Sequence, residues 1–368
     1  MKRILHMTPP IVNNGVYKYI FSHLKYIDKS KYEFAFLTQA KADLEATEEY
    51  KEYGFQIHNF TTTQRENPEK FRQEIVDILS SGYDVLHLHT SFWRGFLIEE
   101  IAMELGVPKV IVHSHSSNVD IDNPKKRMQI YENHLKFKAL FTKEYATDFW
   151  ACSNMAADWL FNDEIPREEI IIMKNAIELK KFAYDEEKRN DYRKRLGLEG
   201  KFVIGNTCRF EYQKNHEFLI KVFEKVHRVN PQAVLLLVGG GQKLSYIKNL
   251  VKRYNIEDCV MFLGWRDDIA EILQAMDVYC LPSLFEGLPI VLVEAQAAGL
   301  ACMVSSNVTR EVKVTENVKF IDFDEALWVK HILELSYGYE RCDTSNVLRA
   351  AGYDIEKQIK LIEDAYGE

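Results

Sequence analysis

SLFEGLPIVLVEAQAAGLA, residues 283–301, carries the turn from a short apolar strand into a helix, and that turn sets the reading of the whole chain. The run just before it, VYCLP, is apolar and stops at a proline, as a buried strand of a parallel sheet does. Pro289 is expected at the first helical position, where a missing N–H costs nothing. Gly287 lets backbone approach a ligand closely, and the amides at a helix start favour an anion such as a diphosphate. Glu286 falls in the loop and Glu294 on the helix, so both can face one ligand at different depths. Glutamates at this spacing also occur on ordinary amphipathic helices. The strand, the EGLP loop and the small-residue AQAAG stretch are what single this pair out.

Outward from this segment, short apolar runs alternate with stretches of helical period, the pattern of parallel α/β architecture. In the first half, strands are expected near residues 3–7, 33–37, 55–60, 85–89, 110–115 and 149–152. Helical patterns lie between them at 16–26, 68–79 and 92–105, the last stopped by Gly106 and Pro108. The charged stretch 180–200 has little apolar periodicity beyond a short helix and reads as a linker. The alternation then restarts at 202–206, 234–238, 260–263, 278–281 and 301–304. We therefore expect two Rossmann-like, doubly wound domains facing each other across a cleft, with ligands at the carboxyl ends of the strands. The boundaries are 1–182, 183–350 and a C-terminal helix at 351–368.

A chain of 368 residues, 46% hydrophobic and 28% charged, suits two folded domains. Its formal charge of -8 argues against a nucleic-acid partner, which would need clustered lysine and arginine in excess. The six cysteines are scattered, without CxxC or Cys/His ligand spacing, so neither zinc nor a disulfide framework is indicated and a reducing, cytoplasmic setting is expected. The apolar run after MKR is too short for a signal peptide, and no stretch approaches the roughly 20 apolar residues of a membrane span.

GNTCRFEYQKN, residues 205–215, sets Arg209 and Lys214 on a strand-to-helix loop, where two cations can meet one diphosphate. LLLVGGG, residues 235–241, ends a strand in three glycines, including Gly239. They do not spell the G-x-G-x-x-G fingerprint of a nicotinamide dehydrogenase. Trp265 and Arg266 follow the next strand, where a packed tryptophan and a ligand contact explain the first equally well. KVIVHSHSSN, residues 109–118, ends a strand in His113 and His115, which should share one side of it. His87 and His89 do the same in DVLHLHT. Two D-x-D pairs, Asp120/Asp122 and Asp322/Asp324, follow neither the 202–206 nor the 278–281 strand and read as surface or turn features, not as metal ligands.

The 283–301 and 205–215 segments together resemble glycosyltransferase family 4, retaining enzymes with the GT-B fold, among them bacterial capsular and exopolysaccharide transferases. The resemblance is strongest from 203 to 305. It implies transfer of a hexosyl or N-acetylhexosaminyl group from a nucleotide-diphosphate sugar, with a UDP-sugar as default, to a saccharide or lipid-linked acceptor. It implies Arg209 and Lys214 on the diphosphate, with no metal and no other cofactor required. It puts Glu294 on the ribose, Glu286 on sugar hydroxyls, Gly287, Leu288 and Pro289 beside sugar and phosphate, and Gly239 under the nucleotide. In the first half, Asn13-Asn14-Gly15 stands where relatives have a paired-glycine loop, which leaves Gly15 for the donor phosphate. His115 matches the histidine that reaches the reaction centre, with His87, His89 and His113 toward the acceptor. A sugar-nucleotide epimerase of the same fold and a non-catalytic sugar-nucleotide sensor are the alternatives. The stretch 124–143 mixes six basic residues with apolar ones and can dock on anionic lipid at the inner face of the cell membrane.

Overall fold

The computed structural model describes residues 1–8 and 14–367. They form two compact units. The first comprises Met1–Val119, Asn123–Asn175 and the C-terminal segment from Ile355. The second comprises Asp120–Asp122 and Ala176–Asp354, so it begins ahead of the boundary expected at 182.

The first unit is built on seven parallel strands: β1 (Lys2–Met7), β2 (Tyr32–Thr38), β3 (Gln56–Asn59), β4 (Val85–Thr90), β5 (Lys109–Ser114), β6 (Asp148–Ala151) and β7 (Ile170–Ile172). Their order is β3-β2-β1-β4-β5-β6-β7, so the winding reverses between β1 and β4. The helix Gly15–Tyr26 covers one face, with Asn14 capping its start by accepting from the Tyr17 amide at 2.7 Å. The C-terminal helix Ile355–Tyr366 packs beside it, burying Ile359, Ile362 and Tyr366 in the same core. Gln358 fixes that docking by meeting His23 Nε2 at 2.7 Å.

The second unit has six parallel strands: β8 (Phe202–Asn206), β9 (Ala233–Val238), β10 (Val260–Gly264), β11 (Val278–Leu281), β12 (Ala301–Ser305) and β13 (Val318–Ile321). The order β10-β9-β8-β11-β12-β13 reverses between β8 and β11. Strands β8, β9, β11 and β12 are buried along their full length, which explains why they read as unbroken apolar runs.

Three expectations are corrected. The charged stretch 180–200, with the short helix expected in it, is part of the second unit and not a linker. It holds the helix Glu186–Arg195, whose Arg193 reaches Asp277 at 3.1 Å while Arg189 donates to the Met276 carbonyl at 2.7 Å. Its charges tie it to the second unit. The helix expected over 92–105 spans only Leu97–Glu104, because Trp93 is buried and Gly95 takes a left-handed φ of 138° ahead of it. Pro289 caps the helix Ile290–Ala297 and is not its first residue. Among the described residues no helix is long and apolar enough to cross a membrane.

Candidate functional site

In an open parallel sheet, the reversal of strand order leaves two loops diverging above the carboxyl ends, and a ligand enters between them. In the second unit those loops follow β8 and β11. They carry the residues 207–215 and 282–289.

After β8 the chain turns through Thr207 and Cys208, whose polar atoms lie 3.2 and 3.7 Å from the Tyr279 hydroxyl. It then runs against the glycine turn that ends β9. Gly239 has φ 129°, and a Cβ there would meet the Cys208 carbonyl oxygen at 2.4 Å. Gly241 has φ 149°, and its Cβ would lie 2.6 Å from the Phe210 carbonyl oxygen. The two glycines let the turn clasp the backbone on either side of Arg209, and the Phe210 amide seals it by donating to the Gly240 carbonyl at 2.8 Å. The triple glycine is therefore more than a tight turn. Asn215, in the left-handed region at φ 50°, starts the helix His216–Val229.

Lys214 and Glu286 meet directly, Nζ to Oε1 at 2.6 Å, with side chains 12% and 6% exposed. Gln213 holds the other carboxylate oxygen, donating from Nε2 at 3.0 Å, and also donates to the Phe285 carbonyl at 2.9 Å. Burial draws the Lys214 ammonium down. The Glu286 charge, the Cys208 thiol and the Glu286 hydrogen bond together outweigh this, so the net shift is above the usual lysine range. Arg209 is near enough to repel it. Beneath the pair, His216 is buried, stacked on Phe210 at 4.2 Å and bonded to Asn206 Oδ1 at 3.1 Å. Burial first, then the Lys214 and Lys243 charges, press its pKa down to about 3, which leaves a neutral ring.

Asp120 and Asp122, set aside as surface features in the sequence, are drawn into this site. Asp120 pairs with Arg209 at 3.6 Å and accepts from the Gln213 amide at 3.0 Å, while Asp122 pairs with Lys243 at 2.9 Å. Each cation here carries a carboxylate partner that an incoming anion can replace. The Asp322/Asp324 pair is a turn feature, as expected: Asp324 caps the helix Glu325–Leu335 through the amides of Ala326 and Leu327.

The helix Ile290–Ala297 is buried on every side, so Glu294, 5% exposed, is no surface glutamate on an amphipathic helix. Leu288 is buried in the loop before it. Trp265 is 56% exposed, with its indole nitrogen lying where a Cβ on Gly240 would come, 2.5 Å away. It is a ring laid over the glycine turn, not a core residue. Arg266 is engaged by Asp268 at 2.7 Å.

In the first unit the histidines gather on one face of the sheet. His6 pairs in register with His87, and His89 with His113. His113 and His115 share a side, as expected, with ring centroids 4.0 Å apart. Burial presses His6 and His115 down to about 3 and the others well below their ordinary value. His115 is the half-buried member, just past the end of β5. Gly15 begins its helix with open space where a Cβ would stand, among the described residues. Asn13 lies outside them.

The glycosyl transferases group 1 model matches residues 188–334, which span both loops and the buried glutamate helix. The putative glycosyltransferase EpsF of Bacillus subtilis (strain 168) is 31% identical over 375 residues, covering 99% of this chain and 96% of that protein. The UDP-Gal:alpha-D-GlcNAc-diphosphoundecaprenol alpha-1,3-galactosyltransferase of Escherichia coli is 31% identical over 230 residues, 61% of this chain and 58% of that one. Among solved structures, Anabaena Alr3699/HepE in complex with UDP-glucose aligns with a TM-score of 0.73 at 17% identity, covering 99% of this chain and 100% of that one. That likeness establishes the fold, two Rossmann-like domains of the GT-B class. With a relative this similar along nearly its full length, and with the matched segment holding the Lys214–Glu286 pair, the chain belongs to the glycosyl transferases group 1 family.

Proposed function

We propose that this chain is a retaining transferase of family 4 type that moves a hexosyl or N-acetylhexosaminyl group from a UDP-sugar to a saccharide or lipid-linked saccharide acceptor, in the building of a bacterial surface polysaccharide. The observation that carries this reading is the buried Lys214–Glu286 pair beside Arg209 at the strand-order reversal. The E. coli relative's name specifies a UDP-galactose donor and a lipid-diphosphate acceptor, and the Anabaena protein was solved with UDP-glucose.

In this reading Arg209 and Lys214 take the diphosphate, exchanging Asp120 and Glu286 for phosphate oxygens. Glu286, released from Lys214, accepts hydrogen bonds from sugar hydroxyls, with the Gly287 and Leu288 amides and Pro289 lining that side. Glu294 accepts both hydroxyls of the ribose, Trp265 flanks the base over the Gly239 turn, and Gly15 leaves room for phosphate. His115 keeps the role the resemblance implies, contact with the transferred sugar, with His87, His89 and His113 behind it toward the acceptor.

The bond from the anomeric carbon to the diphosphate breaks while the acceptor oxygen attaches on the same face, and the leaving phosphate takes the acceptor proton. Charge grows on the phosphate, and two fixed cations stabilise it, so no metal is needed there. A thermal-shift panel of UDP-, GDP- and ADP-sugars, followed by product analysis with and without acceptor, tests the reading. It predicts stabilisation by UDP-sugars and acceptor-dependent UDP release. Conversion of the donor without acceptor would identify an epimerase, and binding with no turnover under any acceptor a sensor; either outcome overturns it.

We also propose that the helix Pro124–Leu140 rests on anionic lipid at the cytoplasmic face of the membrane. It leaves Met128, Leu135 and Leu140 exposed among Lys125, Lys126, Arg127, Lys136 and Lys138. Failure to co-sediment with phosphatidylglycerol vesicles at low salt would remove this part alone.

A further inference from the structure

The histidines of the first unit form two hydrogen-bonded files. In one, His6 Nδ1 meets His89 Nε2 at 3.0 Å, and His89 Nδ1 meets His115 Nε2 at 2.8 Å. In the other, the Tyr366 hydroxyl meets His87 Nδ1 at 2.8 Å, and His87 Nε2 meets His113 Nδ1 at 3.1 Å. The second file stops short. His113 Nε2 is fully buried and has no partner among the described residues. The Tyr19 hydroxyl and the Trp150 indole N–H are likewise buried without partners there, and both rings press edge-on against His113, at 5.2 and 5.5 Å. Buried polar atoms are nearly always paired, and of these three it is the His113 ring nitrogen that can offer a lone pair to a cation.

We propose that His89, His113 and His115 hold a transition-metal ion of the zinc type. One ring nitrogen from each lies within 4.8 Å of the others, a limit that admits the roughly 3.3 Å between nitrogens that a tetrahedral ion with ~2.0 Å bonds requires. The files supply the orienting partners that metal-bound imidazoles use. With His87 Nδ1–H donating to Tyr366, His87 Nε2 accepts from His113 Nδ1–H, and a lone pair is left on His113 Nε2. With His89 Nε2–H donating to His6, a lone pair is left on His89 Nδ1. Those two lone pairs, with His115 Nε2 at 2.8 Å from His89 Nδ1, are the donors a cation would take. His115 is the half-buried member of the trio. Three imidazoles without a carboxylate among them select zinc, cobalt, nickel or copper over magnesium, calcium or manganese. The inference stands on the first unit alone and goes beyond the transfer chemistry, since a metal on His115 Nε2 leaves Nδ1 for the sugar.

The untagged full chain, stripped with a chelator and dialysed, is titrated with Co²⁺ and then Zn²⁺ while visible absorption and the melting temperature are followed. The expected result is a tetrahedral cobalt band saturating near one equivalent, its loss on adding Zn²⁺, and a melting temperature raised by Zn²⁺ but not by Mg²⁺. His115→Ala, at the half-exposed position, should weaken Zn²⁺ at least about tenfold, the loss usual for even an outer partner. His113→Gln should do the same without creating a cavity, and His58→Ala, outside the cluster, should change nothing. The proposal is overturned if the parent chain shows neither the cobalt band nor a zinc-dependent melting shift, or if His115→Ala and His113→Gln bind Zn²⁺ as the parent does.

Discussion

Lys214 and Glu286, 72 residues apart in sequence, meet at 2.6 Å across the reversal point of the second sheet. Removing one partner strands the other as a buried charge, which costs about 3–5 kcal/mol, whereas replacing both by neutral groups of similar size is close to neutral. Lys214→Ala should therefore lower both the melting temperature and the transfer rate, the latter on the order of 10²–10³-fold. Lys214→Met combined with Glu286→Gln should recover the melting temperature and leave transfer lost. Recovery of transfer in the double variant would show that the pair serves packing only.

Glu294 is buried on a helix with no exposed face, so its part in binding can be separated from folding. Glu294→Gln keeps the shape and removes the charge. Hydrogen bonds to a charged group are worth about 1.5–3 kcal/mol, so UDP affinity should fall roughly 10–100-fold at a nearly unchanged melting temperature. Calorimetric titration with UDP measures this, and an unaltered Kd would move the ribose elsewhere.

Gly239 holds a backbone conformation that a side chain rarely takes, with the Cys208 carbonyl oxygen where its Cβ would go. Gly239→Ala should cost more than the ~1–3 kcal/mol of backbone strain alone, because the loop bearing Arg209 must also shift. A urea midpoint lowered by less than Gly15→Ala lowers it would contradict the account, since Gly15 faces open space.

Glu99, buried on the helix Leu97–Glu104, has its carboxyl pushed up to about 8, chiefly by burial. A carboxyl with a raised folded pKa binds more protons folded than unfolded, so its contribution to stability is full below about pH 4.5 and is lost as pH rises toward 8. Glu99→Gln removes this dependence. The stability of the variant relative to the parent should grow between pH 5 and 8, by at most ~1.4 kcal/mol per pH unit. Chemical denaturation at several pH values checks the slope, and a gap that narrows with rising pH would falsify the assignment.

The sequence by itself determined what neighbours along the chain control. Apolar runs, glycine stops and caps located eleven of the thirteen strands among the described residues, and the EGLP turn and the RFEYQKN loop pointed to their family. Of the strands it missed, β7 has only three residues, and in β13 Lys319 breaks the apolar run. What tertiary structure decided is which distant residues meet. Asp120 on Arg209, Gln213 on Glu286, and the histidines brought together from three strands follow from strand order and register, in which residues tens of positions apart become neighbours. Spacing along the chain gave the pairs His87/His89 and His113/His115, but not that they meet each other and His6, because that is set by register across the sheet.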